Sequence, residues 1–280
     1  MLKFLTKAII FLGVIVGAIT FVYLYDLYQE IKDDIDSVVN YNPKQSTQFF
    51  DKNGKLLANT FKDENREYVN YDDIPARVIE GLVAIEDTQF FEHFGVNPDA
   101  ISRAVIKNIQ SGGYSEGAST LTQQLIKVLL LSREKKIIRK VKEALLAIRL
   151  ETVLTKEEIL ERYLNHVYFG HGYYGVKTAA KGYFKKNLYE LTLKEIAILV
   201  GLPRAPSFYD PTKNLQVSLA RANQVITRMH TLGWINNEQF EESINETPTI
   251  YNQTLTQNIA PYAIDYAVSE LVNDIPDILY

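Results

Sequence analysis

From Ala8 to Tyr25 the chain runs for eighteen residues without a charge. As a helix such a run is ~27 Å long, close to the hydrocarbon thickness of a bilayer. Lys3 and Lys7 precede it, and Asp26 and Glu30 follow it. Basic residues before the run and acids after it put the N-terminus on the cytoplasmic side. Val16-Gly17-Ala18 offers a cleavage site for a signal peptide, but the apolar run continues past it to Tyr25, long for a leader. The expectation is an uncleaved single-pass anchor in the cytoplasmic (inner) membrane, with everything after Tyr25 outside the cytoplasm.

The other 255 or so positions have the apolar content of a globular protein, enough for one large domain or two small ones. There is no cysteine, which excludes disulfides and thiolate metal sites. The net charge of −4 is unevenly spread: after Arg228 eight acids occur and no Lys or Arg, so residues 1–228 carry +4.

Residues 26–46 read as a polar helical stalk, and Gln48 to Leu57 as two short strands around the Asn53-Gly54 turn. From Tyr71 on, helical periodicity dominates and long alternating strands are missing up to 240. Asp73, with Pro75 in the first turn, opens a helix that ends near Glu86. Thr155-Lys156-Glu157-Glu158 and Thr192-Leu193-Lys194-Glu195 are capping boxes. Ser111 to Gly117 is a loop, and Leu202 to Pro211 a second irregular stretch. The expected division is an anchor over 1–25, stalk and strands over 26–70, a mostly helical main domain over 71–240, and a linker over 241–280.

Glu86 falls on the apolar stripe Ile79, Leu82 and Val83, where a carboxylate is costly unless paired or used. A basic cluster follows: Lys127, Arg133, Lys135, Lys136, Arg139, Lys140, Lys142 and Arg149 face only Glu134 and Glu143, a net +6 over 23 residues. Such a cluster is either a solvated helix face or an anion site suited to phosphate or pyrophosphate. Nucleic acid fits poorly, since no nucleic-acid-binding module is recognisable. On the helix Ile137–Leu150 the main apolar face is Ile137, Val141, Leu145 and Ile148; Glu143 lies opposite, beside Arg139, Leu146, Ala147 and Leu150. Two carboxylates, one in an apolar setting and one among cations, suit acid/base partners in glycosidic chemistry. Between them Ser119, Thr122, Gln123 and Lys127 can share one helical face and offer hydroxyl, amide and ammonium groups.

The ordered motifs EDTQFFEHFG (86–95), GASTLTQQLIK (117–127), RKVKEALLAIRLE (139–151), ILERYLNHVYFGHGYYGVKTAAKGYF (159–184) and LTLKEIAILVGLPRAPSFYDP (191–211) closely resemble the peptidoglycan glycosyltransferase domain of class A penicillin-binding proteins, glycosyltransferase family 51. The resemblance covers most of residues 71–240. It implies a mainly α, lysozyme-like glycosyltransferase domain carried by one transmembrane helix. It implies that lipid II is polymerised into β-1,4 glycan with inversion and release of undecaprenyl pyrophosphate. Glu86 matches the general base for the acceptor 4-hydroxyl, and Glu143 the second essential Glu near the leaving group. Ser119, Gln123, Lys127, Arg139, Lys140 and Lys142 match donor-site positions that contact the pyrophosphate; Thr122 and Lys135 belong to the same substrate-binding set, and Asp87 sits beside the base. The implied partners are lipid II, the growing glycan, the membrane and other cell-wall synthesis proteins, with no nucleic acid. No cofactor is required by the residues; a divalent cation, Mg²⁺ or Mn²⁺, is compatible with the pyrophosphate. Ala260-Pro261-Tyr262 resembles the link into the transpeptidase domain of bifunctional members, which lies outside this sequence.

Three positions depart from the family pattern: Val128 replaces an Asn, Lys135 an Arg that would offer a bidentate fork, and Lys185 a Gly. His93, His166 and His171 show no zinc-ligand pattern and read as structural. Asn165 and Tyr168 read as packing and hydrogen-bonding residues. Phe90, Phe91 and Phe94 suit either a core or a groove that admits lipid. Two rivals remain: a lytic enzyme, which needs an acid at Glu86 but no pyrophosphate-binding cations, and a non-catalytic membrane scaffold for wall synthesis.

Overall fold

The structure, a computed structural model, describes residues 2–40, 46–60, 64–113, 117–130, 136–252 and 261–274. Its elements in chain order are α1 (Leu2–Ile31), α2 (Asp34–Val39), β1 (Thr47–Phe50), β2 (Leu56–Thr60), β3 (Asn65–Arg66), α3 (Ala76–Glu86), α4 (Pro98–Gln110), α5 (Leu121–Leu129), α6 (Lys136–Leu150), α7 (Lys156–His166), β4 (Tyr173–Tyr174), α8 (Val176–Phe184), α9 (Leu193–Gly201), α10 (Pro206–Tyr209), α11 (Leu215–Thr231), α12 (Asn237–Asn245) and α13 (Pro261–Asp274). The fold is mainly α, as the periodicity indicates. The chain divides into two compact units, Met1–Tyr41 with His93–Thr155, and Asn42–Glu92 with Lys156–Tyr280.

In the first unit, α1 carries the charge-free run. Ile9–Ile31 is, among the described residues, the one stretch long and apolar enough to cross a membrane. Its apolar side chains from Ile9 to Val22 are exposed. The character changes after Tyr25. Leu27, Ile31, Ile35 and Val38, spaced by four, four and three, are buried, and α1 and α2 both pack on α6. The acids of residues 26–36 suggest a solvated stalk; the structure instead turns the intervening apolar stripe inward. Residues 41–45 lie outside the described set.

Helix α6 also differs from the expectation. Its buried face is Lys142, Glu143, Leu146, Ala147 and Leu150, while Val141 and Leu145 are half-buried and Ile148 is exposed. The helix has two largely apolar faces, so periodicity does not choose between them. The neighbours α5, α1 and α2 do.

In the second unit, α9 is buried from Lys194 to Gly201 and packs on α3 and α11. Its capping box is present: the Glu195 backbone donates to Thr192 Oγ1 at 3.2 Å and the Thr192 backbone to Glu195 Oε2 at 2.8 Å. The two charges inside this helix are satisfied. Lys194 Nζ donates to Asn223 Oδ1 at 2.6 Å, and Glu195 accepts from Lys186 at 2.8 Å. Helix α3 approaches so closely that a Cβ on Gly81 would sit 3.3 Å from Val200 Cγ2. The N-cap of α3 is Pro75; Asp73 instead ends a separate 3-10 turn, Tyr71–Asp73. Strands β1 and β2 pair antiparallel with a bulge between Phe49 and Phe50, and Gly54 turns at φ 80°. β3 pairs parallel with β4. The 202–211 stretch contains the short helix α10.

Lys185, one of the three departures from the resembled pattern, caps α8 at φ 56°. The left-handed conformation costs a side-chain-bearing residue about 1–2 kcal/mol, partly offset here by its ammonium lying 4.2 Å from the Tyr251 ring centroid.

Burial, reinforced by Arg66 and Arg162, pushes the His166 imidazole down to about 3. It is therefore neutral in the folded protein, and its contribution is fully present above the unfolded value of about 6.5. Stability is lost as pH falls from there toward about 3, because the unfolded chain takes up the proton first. Urea titrations from pH 7 to pH 4 should show a smaller acid-induced loss, by about 1–3 kcal/mol, in His166→Gln than in the parent chain.

Candidate active site

In the second unit Glu86 is the last residue of α3, its side chain 11% exposed. Backbone carbonyls at a helix C-terminus repel negative charge. Arg221, on α11 and 4% exposed, compensates: its guanidinium donates to Glu86 Oε1 at 3.0 Å. Gly201 makes this reach feasible, since a Cβ there would lie 2.9 Å from Arg221 Cγ. The guanidinium also lies 5.6 Å from the Tyr209 ring centroid. Burial, and then the Glu86 charge, push the Tyr163 phenol well above its usual range, so it stays protonated. Asp87 is the buried C-cap of α3; its backbone donates to Val83 O.

Phe90 is buried, with Lys156 Nζ 4.4 Å from its ring centroid, while Phe91 is 53% exposed. Of the aromatic trio, Phe90 is thus core. In the first unit Phe94 is 78% exposed, as are Val105, Ile106 and Ile109 of α4 at more than half their surface.

The first unit holds the second cluster. Glu143 is fully buried on α6. Lys140 Nζ donates to its Oε2 at 2.5 Å, and Arg139 Nε lies 3.2 Å from its Oε1. Lys140 also donates to Ser119 Oγ at 2.8 Å. A carboxylate that is buried is tolerable only with such pairing. Ser119, Arg139, Lys140 and Glu143 therefore form one group, with Arg139 23% and Lys140 50% exposed.

The other predicted positions are placed differently. Ser119 precedes α5, so it does not share a helical face with Thr122, Gln123 and Lys127. Thr122 is buried and donates to Glu151 Oε1. Gln123 is spent on a capping box: its Oε1 accepts from the Thr120 backbone at 3.0 Å, and its own backbone donates to Thr120 Oγ1 at 3.1 Å. Lys127 is exposed in the last turn of α5. Lys142 is buried and meets Glu30 Oε1 at 3.2 Å. Lys135 lies outside the described residues. Arg221 and Tyr163 had no sequence signal toward Glu86: Arg221 lies 135 residues further along the chain.

Gly95 fixes the backbone beside Glu143's helix. It has φ 80°, and a Cβ there would sit 2.5 Å from the Ala147 carbonyl carbon and oxygen. Thr120 Oγ1 donates to the Gly95 carbonyl at 2.6 Å. Gly95→Ala is expected to cost about 2–4 kcal/mol, from left-handed strain plus a collision with backbone that cannot rotate away. Urea unfolding followed by circular dichroism measures it.

A family model described as Transglycosylase matches residues 53–230. Penicillin-binding protein 1A of Aquifex aeolicus is 40% identical over 271 residues, 96% of this chain and 37% of that protein. Penicillin-binding protein 1A of Escherichia coli is 39% identical over 89% of this chain and 30% of its own length. Penicillin-binding protein 1F of Bacillus subtilis is 40% identical over 69% of this chain and 27% of its own length. The chain thus spans about a third of the length of these curated relatives. A crystal structure of penicillin-binding protein 1A from Haemophilus influenzae covers 84% of this chain and 25% of that one, at 26% identity and a TM-score of 0.46.

Proposed function

We propose, from the premise that this chain belongs to the transglycosylase family, that it is a membrane-anchored peptidoglycan glycosyltransferase polymerising lipid II. Glu86 takes the proton from the acceptor 4-hydroxyl as that oxygen attacks the donor anomeric carbon. The carbon–oxygen bond to undecaprenyl pyrophosphate breaks, the pyrophosphate keeps the electron pair, and the α-linked donor becomes a β-1,4 link. Arg139 and Lys140 meet the charge that develops on the leaving group. Ser119 steadies the Lys140 ammonium.

Glu143 acts in this reading as a positioning residue. Its carboxylate is fully buried and already engaged by two cations, so it holds them in register. That same engagement makes it a poor metal ligand. Residues 71–240 would form the catalytic part, outside the cytoplasm, with the N-terminus inside and α1 as the single anchor.

The observation that carries the proposal is the cluster in which Arg139 and Lys140 close on Glu143 beside Ser119. A lytic glycosidase has no pyrophosphate to stabilise, and a scaffold needs neither carboxylate. Incubating the detergent-solubilised chain with labelled lipid II, and separately with preformed glycan, distinguishes the three. The proposal expects a ladder of glycan polymer from lipid II. Cleavage of preformed glycan without polymerisation would support the lytic reading, and inactivity in both the scaffold.

A further inference from the structure

Lys142 stands one residue before Glu143 on α6, yet its ammonium goes elsewhere. It meets Glu30 Oε1 at 3.2 Å, its side chain 8% exposed against 66% for Glu30. Glu30 belongs to the last turn of α1, between the buried residues Leu27 and Ile31. A lysine this buried is costly without an anionic partner. Beside the pair, α1 and α2 pack on α6, burying Ile31, Ile35 and Val38. The membrane-proximal end of the anchor and the helix carrying the cation cluster are thus joined by an apolar seam and the Lys142–Glu30 ion pair.

We propose that Lys142 is a positioning residue rather than a pyrophosphate ligand: its ion pair with Glu30 clamps the end of the anchor helix to α6, so that the anchor sets the orientation of Arg139, Lys140 and Glu143. The proposal rests on the glycosyltransferase reading for its kinetic consequence, but not for its structural one. The anchor is then part of the machinery that orients the donor-binding cations, and not only a tether.

The test uses the full chain in detergent with Glu30→Lys, Lys142→Glu and the reversed pair carrying both. Two readouts are taken: kcat and KM for labelled lipid II, and hydrogen exchange of the segments 27–38 and 139–147. Each single reversal should lower kcat by roughly 10- to 100-fold with little change in KM, as expected when reacting groups are displaced slightly. Exchange should quicken in both segments. The reversed pair should return kcat to within about threefold of the parent and restore the exchange pattern, the signature of a direct pairwise coupling.

A reversed pair as inactive as Lys142→Glu, with parental exchange, would overturn the proposal and make Lys142 a ligand. Unchanged kcat and exchange in Glu30→Lys would overturn it as well. Glu30→Gln removes the charge without adding a like one, and should give a smaller loss in the same direction if the reversals fold poorly. Absence of polymer from the parent chain would refute the functional reading while the exchange data still judged the clamp.

Discussion

Glu86→Gln is expected to reduce lipid II polymerisation by roughly 10²- to 10⁴-fold in kcat, the contribution of a positioned general base. The amide cannot take the acceptor proton. It can still accept from Arg221, which donates to Glu86 Oε1 in the parent chain. The fold should therefore survive, at a cost of about 1–3 kcal/mol for leaving a buried guanidinium without its anion. Steady-state rates and a thermal melt on the same preparation separate the two effects. A variant that keeps more than about a tenth of parental kcat would remove Glu86 from the base position.

Glu143→Ala should damage both fold and activity. The carboxylate is fully buried between Arg139 and Lys140. Removing one partner of a buried ion pair costs about 3–5 kcal/mol. Both cations reach solvent in part, so a loss of about 2–4 kcal/mol is expected here. Polymerisation should fall by roughly 10²-fold or more, because Arg139 and Lys140 lose the group that orients them toward the leaving pyrophosphate. Glu143→Gln keeps the shape and isolates the charge: it should lose activity with a smaller stability change. Urea denaturation and initial rates read both. A destabilisation below about 1 kcal/mol for the Ala variant would contradict the buried pairing.

These expectations show how far the sequence could be read. The long apolar helix α1 was legible because eighteen uncharged residues leave few alternatives. The α9 capping box was legible because it is local, Thr192 and Glu195 being three residues apart. The hairpin was legible for the same reason, though not its bulge at Phe49 and Phe50. The buried face of α6 was not, since periodicity marks two apolar faces without saying which neighbour covers them. Residues 26–39 illustrate the converse: acids mask an apolar stripe that only the packed α6 reveals.

The motifs named Gln123 and Lys142 as substrate ligands and a shared helical face named Thr122; within the structure their partners are the Thr120 cap, Glu30 and Glu151 respectively. The partner of Glu86 was invisible for a different reason. Arg221 reaches it through tertiary packing that depends on Gly81 and Gly201 letting α3, α9 and α11 come close. No local pattern around Glu86 encodes that approach.

The most direct measurement is a mass balance on the purified full chain with doubly labelled lipid II, one label in the disaccharide and one in the lipid. The expected result is one undecaprenyl pyrophosphate released per disaccharide joined, in a product that a β-1,4 muramidase digests. Glycan fragments formed without pyrophosphate release, or a product that resists the muramidase, would contradict it.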